Sequence, residues 1–517
     1  MAHHPRKKRV TVIAILSRTI HSEMQNIATK NAATTIHIAD LQTRDPWPQA
    51  PTLAGIGALD VVGFTLVLEP KVPEAPVRER LAILRAALGR PGVRKVAHSA
   101  FWLFVDRVIR LGIGLLVGVA VARYLGPDRF GQFNYVIAFV TLFGTAVAAG
   151  TDTVAIRVLA REPDRAGAIL GAAAVIRLVG IPVVLAALAA TAFAMHAGDT
   201  ATLQLIAVYA ATLLFRPADV VDLWFQAETN ARPTVWARNI AFFLTSAVKV
   251  GLLLKGASLI AFVAVEPLGA ALGAAFLLAA YRFAGRRLTV AGATRGDVRM
   301  LLAAGAPLLL SGLAIVIYTR IDQVMLEHLP GGGARQLGLY SAALRLSEVW
   351  YFLPVALTSS VFPALVRSKE ADESRYLDRL RRLFSLMAVI ALTVAISTSL
   401  FASQLIQLVF GDRYAGAGTV LSIHVWTSIF VFWGVVGETW YLNEGLTRLT
   451  LYRTGSAALA NVALNLVMIP RYGGVGAAIA TLVSQAWSAW LSNLVWARTR
   501  PLFFMQLRSL SLRGLLG

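Results

Sequence analysis

From about residue 97 onward the chain alternates between short polar breaks and apolar blocks of about twenty residues or more, the length a helix needs to cross a bilayer. The blocks lie at 97–121, 132–156, 167–194, 201–224, 235–254, 258–281, 301–325, 337–362, 383–402, 418–441, 450–470 and 474–497. In lipid, every backbone N–H and C=O must find its partner within the protein, and a single span does so only as a helix. The pattern predicts an all-α polytopic membrane protein with about twelve transmembrane helices.

Charge orients these spans. The segments on the side before the first span (78–95, 157–165, 226–238, 282–299, 366–382, 442–453 and 498–517) carry about 28 Lys and Arg, and the loops on the other side about 6. The cation-rich side is therefore expected to be cytoplasmic, with both termini there, in a bacterial-type cytoplasmic membrane. A net charge of +21 in a soluble chain would suggest nucleic acid. Here it reads as loop cations beside anionic headgroups, with no nucleic-acid partner. The composition agrees, being 57% hydrophobic and only 15% charged. The absence of cysteine excludes disulfides, thiolate metal sites and cysteine nucleophiles.

The two halves look alike. Arg123-Tyr124-Leu125-Gly126-Pro127 and Phe130-Gly131-Gln132-Phe133 join the first two spans; Leu329-Pro330-Gly331 and Leu337-Gly338-Leu339-Tyr340 join the seventh and eighth. Each is a turn followed by a Gly-x-aromatic helix start. A repeat of six spans is parallel, and such transporters bind cargo at the repeat interface near mid-membrane. Residues 1–93 do not fit this pattern and are expected to be a cytoplasmic extension, partly disordered and in part an over-long gene start. The remaining expected divisions are lobes at 94–298 and 299–500 and a tail at 501–517.

Three stretches carry a resemblance over about residues 94–497: Arg123–Tyr135; the run from Arg320-Ile321-Asp322-Gln323 through Gly338-Leu339-Tyr340-Ser341 to Phe362-Pro363-Ala364-Leu365; and Asn461-Val462-Ala463-Leu464-Asn465 with Ile469-Pro470-Arg471-Tyr472-Gly473-Gly474-Val475-Gly476. In order and spacing the chain resembles the polysaccharide-export flippases of the multidrug/oligosaccharidyl-lipid/polysaccharide (MOP) superfamily. The resemblance implies two pseudo-symmetric six-helix lobes in a V and alternating access. It also implies a polyprenyl (isoprenoid) pyrophosphate-linked oligosaccharide as cargo, with membrane lipids and polysaccharide polymerase machinery as partners.

Ionisable side chains inside spans are costly and default to functional candidates. The cations are Arg107, Arg110, Arg177, Arg216, Arg320 and Arg345; the coupling or pairing carboxylates are Asp106, Asp219, Asp222, Glu266, Asp322 and Glu348. Asp106 and Arg110 are i,i+4 and can pair, while Arg107 and Arg110 can share a cavity. Guanidinium forks suit a diphosphate. Arg216 precedes Pro217, a potential hinge. Arg345 and Glu348 are expected to pair, Arg177 has no local partner, Lys249 is expected to snorkel to its span end, and Glu438 is expected to be solvated. Asp152 completes the set of intramembrane anions. No phosphate-binding Gly-x-x-x-x-Gly-Lys-[Ser/Thr] loop or Asp-x-Asp metal motif is present, so no cofactor, metal or catalytic residue is assigned. The competing reading is a cation-coupled multidrug exporter of the same superfamily, in which inward carboxylates would dominate.

Overall fold

The computed structural model describes residues 91–228, 230, 232–290 and 292–510, with side chains from residue 110 onward except at 363, 364, 370, 371 and 447. The expectations for residues 1–90 and for the side chains of Asp106 and Arg107 fall outside what is described. The regular elements among the described residues are helices. The longer ones are α1 (Pro91–Gly144), α2 (Asp152–Arg161), α3 (Ala166–Met195), α4 (Thr200–Ala210), α5 (Val220–Ala227), α6 (Arg232–Leu254), α7 (Leu259–Phe283), α8 (Arg295–His328), α9 (Ala334–Glu348), α10 (Phe352–Ala371), α11 (Glu373–Leu400), α12 (Ala402–Phe410), α13 (Ala417–His424), α14 (Thr427–Asn443), α15 (Thr447–Ala489) and α16 (Arg500–Ser509).

Nine helical stretches among the described residues are long and apolar enough to cross a membrane. Two of them fold back on themselves. In α1, Gly126 takes φ 73° and ψ 171°, and in α15, Gly473 takes φ 55°. Glycine adopts these angles without a Cβ clash, and Pro127 is preset for the first turn of the helix that follows. With α9 and α10 as one further crossing, the arrangement fits the twelve expected spans.

The internal repeat is visible in backbone geometry. Gly333, just before α9, takes φ 104° and ψ 170°, matching Gly126 before the second arm of α1. A little further into each helix a second glycine lets the two cross. A Cβ on Gly131 would lie 1.8 Å from the Ala334 carbonyl oxygen, and one on Gly338 would lie 1.9 Å from that of Pro127. The contact is reciprocal, as a two-fold relation between halves requires.

The core is divided unevenly. One cluster draws on both halves, with Val121, Phe130, Tyr135 and Leu213 from the first and Leu326, Tyr340, Ile406 and Tyr414 from the second. It sits where α1 and α9 cross, on the side away from the cation-rich loops. Toward those loops the core splits. Ile169, Val221, Phe225 and Tyr281 pack in the first half; Tyr376, Phe384, Trp433 and Trp440 pack in the second. Two bundles sharing a core at one end form a V that opens toward the cation-rich face. Helix α8 spans the division. Its early residue Leu301 belongs to the first-half core, while Val324 and Leu326 near its end belong to the shared one.

Candidate functional site

Arg345 lies two turns beyond the crossing glycine Gly338 and on the same face of α9. Its side chain is thereby aimed at the first half. The guanidinium occupies the space above Gly118, where a Cβ would lie 1.5 Å from Nη1, and it stands 5.5 Å from the Phe130 ring centre. A cavity of about 170 Å³ surrounds it, lined by Gly114, Phe133, Phe242, Lys249, Glu266 and neighbouring residues. Lys249 of α6 and Glu266 of α7 form an ion pair at 2.8 Å within this lining. Glu266 also acts electrostatically on Arg345, so one carboxylate faces two cations.

The charge continues past the cavity. Glu348, exposed at the end of α9, is within electrostatic reach of Arg320 and Arg345. Tyr209 is within reach of Glu266, Arg216 and Arg320. Arg216 is 55% exposed and rests 3.5 Å from Asp219. It lies in a nine-residue 3-10 stretch, Ala211–Asp219, that contains Pro217. Such runs are seldom this long and often mark hinges. Arg345, Lys249 and Glu266 thus line the cavity itself, while Arg216, Arg320 and Glu348 lie within electrostatic reach of its edge.

Other candidates lie elsewhere. Arg110 donates to Asn239 Oδ1 at 2.9 Å, joining α1 to α6. Arg177 is buried; it bonds Asp152 at 2.6 Å and donates to the Arg216 carbonyl at 3.2 Å, so it buttresses the hinge from behind. Asp222 is buried and bound by Arg238 at 2.7 Å and Gln226 at 3.1 Å. Asp322, also buried, accepts from Tyr340 Oη, from the Gln323 N–H at 2.8 Å and from Thr481 Oγ1 at 3.4 Å, which locks α8 to α9 and α15.

Two sequence expectations are corrected and a third is extended. Arg345 and Glu348 form no ion pair, because the arginine reaches across to Gly118 instead of along its own helix. Lys249 does not snorkel; Glu266 holds it inside. Glu438 keeps its expected exposure, at 44% of its side chain, and is also bound at 2.5 Å by Arg453, whose Nε and Nη1 are buried without hydrogen-bond partners while its guanidinium covers the Tyr441 ring at 4.7 Å. The sequence reading missed Arg453. Its place at the start of a span made it look like a loop cation, and Glu438, a partner fifteen residues away on another helix, was the available hint.

Family comparisons agree with this architecture. A family model described as polysaccharide biosynthesis protein matches residues 96–369, and one described as MatE matches residues 307–467. A probable flippase, AglR of Haloferax volcanii, is 27% identical over 198 residues; the match spans 37% of this chain and only 40% of the relative's length. The fold is shared with an inward-facing multidrug resistance MATE family transporter of the MOP superfamily (TM-score 0.63, 16% identity, 77% of this chain and 96% of that one). It is shared as well with the lipid II flippase MurJ in an inward closed conformation (TM-score 0.61, 13% identity, 79% and 91%). A MOP superfamily transporter from Pyrococcus furiosus described as having a binding pocket of reversed polarity also matches (TM-score 0.54, 18% identity, 77% and 96%). With more than half of its length inside the first of these family models, and a two-lobed helical fold to match, the chain belongs to the polysaccharide biosynthesis protein family.

Proposed function

We propose that the protein is a flippase that moves an isoprenoid pyrophosphate-linked oligosaccharide from the cytoplasmic to the outer leaflet of a cytoplasmic membrane, by alternating access. The observation that carries this reading is Arg345, delivered by one half of the molecule into a cavity of the other and met there by Lys249. A diphosphate is the ligand that two adjoining cations with one shared carboxylate can take up, by displacing Glu266 as their counter-ion. Arg216 and Arg320 add positive charge within electrostatic reach of Tyr209, and Arg320 also of Glu348. Arg177, Arg110 and the carboxylates Asp222 and Asp322 serve the frame, and Arg107 belongs with Arg110 on the first helix.

In this reading the lobes 94–298 and 299–500 rock about the α1/α9 crossing, the V opens to the cytoplasm where both termini lie, and the lipid tail stays in the bilayer. Two negative charges moving outward gain about 2.3 kcal/mol per charge per 100 mV of inside-negative potential, so no nucleotide is needed. The product would pass to a polysaccharide polymerase.

Deleting the gene should cause the lipid-linked repeat unit to accumulate on the cytoplasmic leaflet, as read by lipid extraction and mass spectrometry; normal lipid-linked pools and normal surface glycan would contradict the reading. The second reading, a cation-coupled multidrug exporter, draws on the exposed Glu348 and on the MatE match over 307–467. It predicts drug hypersensitivity on deletion with surface glycan intact.

A further inference from the structure

The strongest feature outside the chamber is a groove of about 720 Å³ on the cation-rich side, between α3 and the start of α8. It shares no lining residue with the cavity around Arg345. Arg295 and Arg299 stand one turn apart at its mouth, both exposed. Val175 of α3 and Val298, Leu302 and Ala303 of α8 form its wall. At 1.5 Å per residue, Arg295 to Ala303 covers about 12 Å of helix, enough to run from headgroup level into the acyl region.

The local frame leaves these arginines without an anion. Asp297, the acid between them, is buried and used up. It takes an ion pair from Arg165 at 2.5 Å and closes a capping box with Thr294. That box and ion pair also fix the linker against α3, where Gly171 allows the Thr289 carbonyl to approach. Among the described residues, neither Arg295 nor Arg299 has an ion-pair partner.

We propose that this groove binds an anionic glycerophospholipid of the cation-rich leaflet, its phosphate forked by Arg295 and Arg299 and one acyl chain laid along Val175, Leu302 and Ala303. Charge complementarity selects the anionic headgroup, since a choline ammonium would face two guanidiniums. The apolar wall directly below selects a lipid over a soluble phosphate. Because the groove joins α3 to the first turns of α8, the bound lipid braces the start of α8 against the first-half bundle with which it already packs.

Full-length protein in detergent, titrated with phosphatidylglycerol and phosphatidylcholine of identical chains and read by native mass spectrometry, tests this. The wild type should favour phosphatidylglycerol about tenfold or more at one site. Arg295→Gln with Arg299→Gln should bring that preference within about twofold, and the double Lys variant, which keeps the charge and loses the fork, should fall between the two. Arg471→Gln, an exposed arginine of the opposite face, should leave it intact. Equal binding of the two lipids by the wild type, or an undiminished preference in the double Gln variant, would overturn the proposal. Displacement of phosphatidylglycerol by equimolar polyprenyl phosphate would also overturn it, because the groove would then belong to the cargo.

Discussion

At the residue scale the chamber turns on a glycine and a shared carboxylate. Gly118 makes room for the Arg345 guanidinium, and Gly118→Ala would put a Cβ 1.5 Å from Nη1. The long side chain can move aside, so folding should survive with a cost of about 1–3 kcal/mol at most. Transport should fall about tenfold, comparably to Arg345→Ala, whereas Arg345→Lys should retain part of the activity. Membrane protein level and cargo translocation, measured together, check this; full transport by Gly118→Ala would remove Arg345 from the site. Lys249 and Glu266 should behave as a unit. Removing Lys249 alone leaves a partly buried carboxylate with only Arg345 near it and should destabilise by about 1–2 kcal/mol, while Lys249→Met combined with Glu266→Gln should recover most of that loss in a thermal unfolding assay.

Legibility at this scale follows chain distance. Arg320, Arg345, Glu266 and Glu348 could be picked out because charge inside an apolar run is conspicuous in sequence. Their partners could not. Lys249 meets Glu266 from a different helix, and Arg177 meets Asp152 across twenty-five residues, so neither pair has a helical periodicity to reveal it. Local spacing even misled for Arg345 and Glu348, where i,i+3 geometry suggested a pair but the reach to Gly118 prevailed.

At the element scale the α1/α9 crossing is the part least tolerant of change. Its obstacles are backbone carbonyls within 2 Å of the missing Cβ atoms, and these cannot swing away as a side chain can. Gly131→Ala and Gly338→Ala should therefore both disrupt closure on the side away from the cation-rich loops, and to similar extents because the contact is reciprocal. Thermal stability of the purified variants is the check. The crossing was foreshadowed by the paired Gly-x-aromatic starts in the sequence. That two glycines meet face to face was not, since a sequence repeat says which segments correspond but not which ones touch.

The same side carries a ring cluster outside the spans' apolar centres. His196, after α3, lies 5.0 Å from His328 at the end of α8, and both rings pack on Tyr135 at 5.4 Å. Burial lowers the His196 pKa below its usual value, with His328 adding to the effect and Asp199 opposing it. The Glu327 carboxylate and the Tyr135 hydroxyl face the same region. A histidine held neutral in the fold takes up its proton more readily once released. The closure it supports is thus complete above the free-histidine value of about 6.5 and weakens as pH falls below it. Acid on that side should increase opening in the wild type and have less effect in His196→Asn, as read by the reactivity of a cysteine introduced at the buried Leu337 of the same core.

At the scale of the whole molecule, the shared core at one end and the divided core at the other make the V a lever, and under the proposed function its closed end must open for cargo to leave. The absence of native cysteine allows this to be tested cleanly. Asp128 and Arg335 form an exposed ion pair of 3.6 Å across that end. Replacing both by cysteine and bridging them with a short, reducible cross-linker should stop transport, and reduction should restore it; transport through the cross-linked protein would rule out opening there.

In the proposed function, cations between the lobes carry a diphosphate-linked sugar lipid through the membrane. The most direct measurement is translocation of a fluorescent polyprenyl diphosphate-linked oligosaccharide in proteoliposomes holding the full-length protein, read by quenching from the outside. Wild-type vesicles should flip the lipid well above protein-free vesicles, and Arg345→Ala should reduce the rate about tenfold or more. A wild-type rate equal to that of empty vesicles, or an Arg345→Ala rate equal to wild type, would contradict it.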